Sequence, residues 1–443
     1  MTLIMAIGGV IALAMLARAV YVQRDEWNFS STFVLLAGWL LNAATTLGVF
    51  TGGVQVTVDA FYQRATVISG WLSTFNELCT AALVGLSVVS IIVGVYRKVP
   101  INGPALGIAT VVLMASLATA DTGSVSESMS PRTIALFSLV LACAFLEPGR
   151  GAILGAAAFG ASVAVASAVA PLFSPAAISA CGDKCGLFGL VLQGALGNGN
   201  GTGLILALAL PTIYLAFRGY NRWILVAFTF IVIASTGSRT SLNASVVVLA
   251  VFILSRPEMR EPLSDTWRRV LLFTPVGVFA VVSAAFPLLN TDPTAFTGRG
   301  YLWTTAMNYG SGRSLTGSGT QLWQGLYGTG VISQNATYSA HNQWVDVWFI
   351  SGFSGLAIFV ASLLFVFWRA GDNAYLAAAI ALPASVIAIS ERPWAIGAID
   401  WLSWALLAFL LAAPLGRPGR SWLTKENSDD NAARAPLMNA FPT

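Results

Sequence analysis

The sequence predicts an all-α fold, a polytopic transmembrane bundle of about twelve to thirteen helices with one long outer, periplasmic loop region. Three observations predict it. Of the 443 residues, 56% are hydrophobic and only 9% are charged, where a soluble domain carries about 25% charged residues. Long stretches without any charge recur along the whole length, and the mean hydropathy is +0.75. Each stretch is apolar on all sides. Barrel strands would alternate polar with apolar residues, and only helices or closed barrels satisfy their backbone groups in lipid, so the segments read as helices.

Spanning the roughly 30 Å of hydrocarbon takes about 20 apolar residues. Helices are predicted near 2–17, 32–50, 79–96, 103–120, 133–147, 151–173, 202–217, 223–238, 240–255, 270–287, 345–368, 375–390 and 396–414. The first lacks a positively charged leader, so it reads as a retained helix rather than a cleaved signal. The segments 133–147 and 375–390 are short enough to merge with neighbours or to be re-entrant. Between the second and third helices, the stretch Phe61 to Phe75, with Arg64 and Trp71, reads as an interfacial helix. Residues 1–423 form one membrane domain that includes the outer loop 288–344. Residues 424–443, polar and carrying Glu426, Asp429 and Asp430, read as a disordered cytoplasmic tail.

Orientation follows from the arginines, because basic residues concentrate in cytoplasmic loops. The connection with Arg256, Arg260, Arg268 and Arg269 is placed inside. The same register puts Arg18 and Arg24, Arg97 and Lys98, Arg150, Arg218 and Arg222, Arg369, and the tail with Arg417, Arg420 and Lys425 inside. It puts the connections 51–78, 121–132, 174–201 and 288–344 outside. Cys181 and Cys185 then face the oxidising side, either as a disulfide around Gly-Asp-Lys or as two free thiols, while Cys79 and Cys143 read as inert core residues. A formal charge of +4 is too small an excess to suggest nucleic acid. The chain has no nucleotide-binding loop, which argues against an ATP-driven pump, and no His/Cys cluster for a metal.

The outer loop 288–344 is the longest connection, and loops beyond about 12–15 residues are often functional. Its aromatics Tyr301, Trp303, Trp323, Tyr327 and Tyr338 read first as interface anchors, alternatively as sugar-stacking platforms. Its end holds His341, the only histidine, in Ser339-Ala340-His341-Asn342-Gln343-Trp344. Asn342 is placed to cap the following helix. An imidazole at a helix N-terminus is favoured in its neutral form, which suits a proton acceptor; the bland alternative is an ordinary interfacial histidine. Arg239 follows Ser238 at an outer helix end, against the positive-inside bias, and is read either as a functional charge or as a snorkelling arginine. Arg299 and Arg313 lie in the outer loop. Guanidinium forks match phosphate oxygens and stay charged. Two arginines and a histidine on one outer face therefore suit a pyrophosphate-linked lipid donor.

These residues resemble the O-antigen ligase and O-antigen polymerase superfamily. His341-Asn342, the nine residues Gln343 to Ser351, then Gly352 and Gly355 resemble its His-Asn signature. Ser238-Arg239 resembles its first essential arginine, and Gly298-Arg299 followed by Trp303 its second. The turn Gly317-Ser318-Gly319 and the segment Gly186-Leu187-Phe188-Gly189 to Asn200-Gly201 also fit, so the likeness runs from about Cys185 to Gly355. The resemblance implies a metal-independent, inverting glycosyltransferase without cofactor in the bacterial inner membrane. It would move a glycan from an undecaprenyl-pyrophosphate donor onto a glycolipid or glycan acceptor on the periplasmic face. Arg239 and Arg299 would hold the donor pyrophosphate, with Arg313 able to replace Arg299. His341 would deprotonate the acceptor hydroxyl, with Asn342, Trp303 and Ser238 in support. A polymerase of the same superfamily and a lipid-linked sugar flippase are the alternatives, with a non-catalytic scaffold behind them.

Overall fold

The computed structural model describes residues 2–58, 64–123, 125–182, 184–254, 265–289, 292–332 and 339–412. They form α1 (Thr2–Val22), α2 (Phe29–Thr51), the hairpin β1 (Val54–Val58) and β2 (Arg64–Ile68), α3 (Gly70–Tyr96), α4 (Gly103–Thr122), the single turn α5 (Val125–Ser128), α6 (Pro131–Cys143) and α7 (Arg150–Val169). A second hairpin, β3 (Ile178–Ala180) and β4 (Leu190–Leu192), follows. Next come α8 (Gly199–Ala216), α9 (Gly219–Ser235), α10 (Arg239–Leu254), α11 (Asp265–Leu289), α12 (Ala295–Gly310), α13 (Gln321–Gly328), α14 (Gln343–Ala370), α15 (Ala374–Ile387) and α16 (Ser403–Ala412). Among the described residues, eight helices are long and apolar enough to cross a membrane, and five shorter ones are apolar. The chain is a polytopic all-α membrane protein.

Local chemistry sets several ends. Asn28 and Ser31 form a reciprocal capping box at the start of α2, and Gly52 ends it in the left-handed conformation. Helices α7 and α8 are buried along almost their whole length and form the centre of the bundle, whereas α11 is the least buried of the eight spanning helices. Small residues allow the close packing: a Cβ added at Gly160 would lie 2.1 Å from the Ala209 side chain of α8, and one at Gly155 would lie 2.2 Å from the Ser31 carbonyl of α2. The outer helices turn large apolar residues outward, among them Leu3, Val10, Val281 and Leu288. Exposure on that scale is what a lipid-facing surface requires.

The predicted two faces are visible as two sets of contacts. On one, Glu26 pairs with Arg150 at 2.6 Å and with Arg218 at 3.0 Å, and Arg369 donates to the Ile101 carbonyl. On the other, Asp121 pairs with Arg313, Leu187 N donates to Ala234 O, and Ile399 N donates to Arg132 O. The connection carrying Arg256 and Arg260, the tail, and Tyr338 lie outside the described residues.

Four sequence expectations are corrected. The described residues of the stretch 61–75 form no interfacial helix: Arg64–Ile68 pairs antiparallel with Val54–Val58, as β-branched runs prefer, and Trp71 sits in the first turn of α3, which starts nine residues before the predicted 79. The outer connection 288–344, read as loop, holds α12 and α13 among its described residues. Trp303 and Trp323 anchor no interface and stack on no sugar; they are 0% and 1% exposed because they fix those two helices to the bundle. Residues 396–402 are not helical, and the last helix begins only at Ser403. In α14, Gly352 at φ +71 breaks the helix. Its added Cβ would lie 2.2 Å from the Leu315 carbonyl, so only glycine lets the segment before Gly317 cross there.

Candidate functional site

The site is assembled where α14 starts. Asn342 caps that helix, accepting from Trp344 N and Val345 N at 3.1 Å each. Its side-chain amide donates to the carbonyls of Ser283 at 2.9 Å and Ile389 at 3.2 Å. One residue thus ties α14 to α11 and to the segment after α15. His341, just before the cap, has φ +50. A left-handed non-glycine residue costs about 1–3 kcal/mol and persists where its surroundings fix it. Here His341 N donates to Ser339 Oγ at 2.9 Å, and Ala340 N donates to Asp346 Oδ1 at 3.1 Å.

The imidazole Nδ1 lies 2.9 Å from Glu391 Oε2. The other carboxylate oxygen, Oε1, accepts from Arg299 Nη2. All three side chains are largely buried, at 15–19% exposure. Burial pushes the Glu391 carboxyl up, but the hydrogen bond and charge of His341 and the charge of Arg299 outweigh it and hold the group below its ordinary 4.5. Glu391 is therefore an anion at neutral pH, bridging a guanidinium and an imidazole.

Each partner is held in place. Trp303 lies one turn beyond Arg299 on α12, so the two share a face. Its ring packs against Phe286 and Phe296, with centroids 6.0 and 5.8 Å away, and sets α12 against α11. Next to Glu391, Arg392 reaches Asp346 at 3.4 Å and Asp400 at 3.6 Å. Burial pushes the Asp400 carboxyl up and Arg392 opposes it. Through Asp346, this chain of alternating charge connects the segment 391–400 to the backbone before His341.

Arg239 begins α10. Ser238, before it, hydrogen-bonds the Ser241 hydroxyl at 2.7 Å and accepts from Leu242 N. Thr240 Oγ1 lies 3.3 Å from Ser390 Oγ, so the first turn of α10 abuts the residue before Glu391. Arg239 also lines an open cavity of about 320 Å³ with Lys184, Cys185, Gly237 and Ser238. The opposite wall is the loop closed by the Cys181–Cys185 disulfide, which decides between bridge and free thiols. Arg313 is placed elsewhere. It pairs with Asp121 at the end of α4, and the chain from Arg299 to Arg313 is helical, which spaces the two by roughly 20 Å at 1.5 Å per residue.

The structure thus joins Arg299 and His341 through Glu391, brings the start of α10 beside them, and sets Arg313 apart. Glu391 was not singled out in the sequence, nor were Arg392 and Asp400. The available signal was adjacent opposite charges, Glu391-Arg392, between two apolar segments, with Asp400 inside a segment read as a span. Ionisable residues in such places are functional by default.

Fold and site together define a polytopic membrane protein with an acid–base and cation-bearing centre where non-helical chain meets one end of the bundle. Residues 223–360 match the family model described as O-antigen ligase. That stretch, from α9 into α14, holds Arg239, Arg299 and His341, and over it the chain is similar to the O-antigen ligase family, as those residues suggested. The match begins later than Cys185, so Gly186 to Gly201 lies outside it, as does Glu391. No curated protein and no solved structure matches the chain.

Proposed function

We propose that the protein is a multi-pass transferase of the bacterial inner membrane. It moves a glycan from a polyprenyl-pyrophosphate carrier, undecaprenyl pyrophosphate, to an acceptor hydroxyl at the periplasmic face. The observation that carries the reading is the carboxylate of Glu391 placed between His341 and Arg299. Glu391, at Nδ1, orients the ring, and Nε2 is the nitrogen assigned to take the acceptor's proton. His341 takes the proton of the acceptor hydroxyl while that oxygen bonds to the anomeric carbon. The bond from that carbon to the diphosphate oxygen breaks, and the electron pair leaves with the lipid diphosphate. Direct displacement inverts the anomeric configuration.

Arg239 and Arg299 stabilise the departing anion. Glu391 holds Arg299 through Nη2, and the guanidinium fork that meets a carboxylate also matches a phosphate. Asn342 and Trp303 position, respectively, the loop of His341 and the helix of Arg299. The same chemistry serves a ligase, whose acceptor is a glycolipid, and a polymerase, whose acceptor is another carrier-linked glycan.

The test is glycan transfer in reconstituted membranes with carrier-linked donor. His341→Ala should lower turnover by about 10²–10⁴-fold, the usual worth of a general base. Turnover within a few fold of wild type would remove the mechanism.

A further inference from the structure

We propose that Glu391 gates the site. It occupies Arg299 until a lipid-linked diphosphate displaces it, and its carboxylate then serves His341 alone. The inference rests on Arg299 being the donor arginine, as argued above, and adds an order of events to that assignment.

The geometry behind it is the division of one carboxylate. Oε1 is spent on Arg299 and Oε2 on His341, so a donor group and a base group share a single counter-charge. The adjacent cation along the chain is committed to other partners. Arg392 reaches Asp346 and Asp400. Arg239 approaches from the first turn of α10, where Thr240 meets Ser390. A diphosphate carries more charge than one carboxylate and matches the guanidinium fork at least as well, so it competes directly with Glu391 for Arg299.

The consequence is kinetic order. In the empty site, the Arg299 cation offsets part of the carboxylate charge felt by the imidazole. Once the diphosphate takes Arg299, the full carboxylate charge falls on His341, where it stabilises the imidazolium formed as the acceptor loses its proton. Acceptor activation therefore waits for the donor. When the lipid diphosphate leaves, the Arg299–Glu391 contact re-forms and resets the site. Linkage makes the effect reciprocal, so removing the carboxylate must strengthen diphosphate binding even as it weakens transfer.

The experiment is calorimetric titration of the full-length, detergent-solubilised protein with inorganic pyrophosphate, for wild type, Glu391→Gln, Glu391→Asp and Arg299→Gln. Glu391→Gln should bind pyrophosphate about fivefold tighter or more and transfer glycan more slowly. Glu391→Asp, which keeps the charge, should bind like wild type, and Arg299→Gln should bind weakly. A role in folding alone would weaken binding and transfer together. Because His341 is the only histidine, ¹⁵N-labelled histidine adds a second readout. Saturating pyrophosphate should move the ring resonances of wild type toward those of ligand-free Arg299→Gln, and should leave those of Glu391→Gln in place.

Equal or weaker pyrophosphate binding by Glu391→Gln overturns the gate, as do ring resonances in wild type that ignore the ligand. If Arg299→Gln binds pyrophosphate as well as wild type does, the donor assignment itself falls and the gate falls with it. Weak binding by Arg299→Gln without tightening by Glu391→Gln leaves the donor assignment standing and removes only the gate.

Discussion

At the scale of single residues, charge placement separates the two outer-loop arginines. Arg299 is largely buried against Glu391, whereas Arg313 pairs with Asp121 where the side chains are 41% and 70% exposed. An exposed pair is worth about 0–1 kcal/mol. Arg313→Ala should therefore leave glycan transfer within about threefold of wild type, whereas Arg299→Lys, which loses the planar fork, should cost on the order of 10²-fold. Parallel transfer assays check this, and equal losses would place Arg313 in the site after all. His341 and Arg299 were legible because ionisable residues are rare in this chain and stand out by type. Glu391 was not, because its meaning depends on two partners, His341 and Arg299, that reach it from distant parts of the chain. Only the folded chain brings α12, the start of α14 and the end of α15 to one carboxylate.

Among the elements, the apolar helices were legible because an all-round apolar segment in lipid has one solution. The polar helices α12 and α13 were not. Their composition reads as loop, and they gain their stability from tertiary packing, as Trp303 does on Phe286 and Trp323 on Phe349. Helix α14 shows the same limit. The sequence marks Gly352 as part of a motif, but the structure supplies the reason: a positive φ and a backbone crossing beside Leu315 and Gly317. Gly352→Ala should then cost about 1–3 kcal/mol for the backbone conformation alone, and more from the collision with the Leu315 carbonyl. Thermal unfolding in detergent should show a clear drop in midpoint. An unchanged midpoint would mean that α14 can straighten and that the crossing is not a structural requirement. The crossing sets the path of the chain between α12 and His341, so transfer should fall along with stability.

Across the whole molecule, two faces divide the labour. One gathers Glu26, Arg150 and Arg218, and the other carries the disulfide loop and the cavity lined by Arg239. The proposed chemistry needs the second face to be the one where carrier-linked glycans arrive, and the bias of basic residues toward the first face assigns it there. The native cysteines make this directly measurable. Cys79 and Cys143 are buried, so after mild reduction of intact cells only Cys181 and Cys185 offer exposed thiols to a membrane-impermeant maleimide. Labelling at these two positions should proceed in intact cells. A cysteine placed at Lys98, on the opposite face, should stay unlabelled until the membrane is opened. If Lys98→Cys is labelled first, the bundle is inverted in the membrane. The arginine-rich face would then look outward, and a transferase acting on exported glycans could not use His341, because the imidazole would open to the cytoplasm.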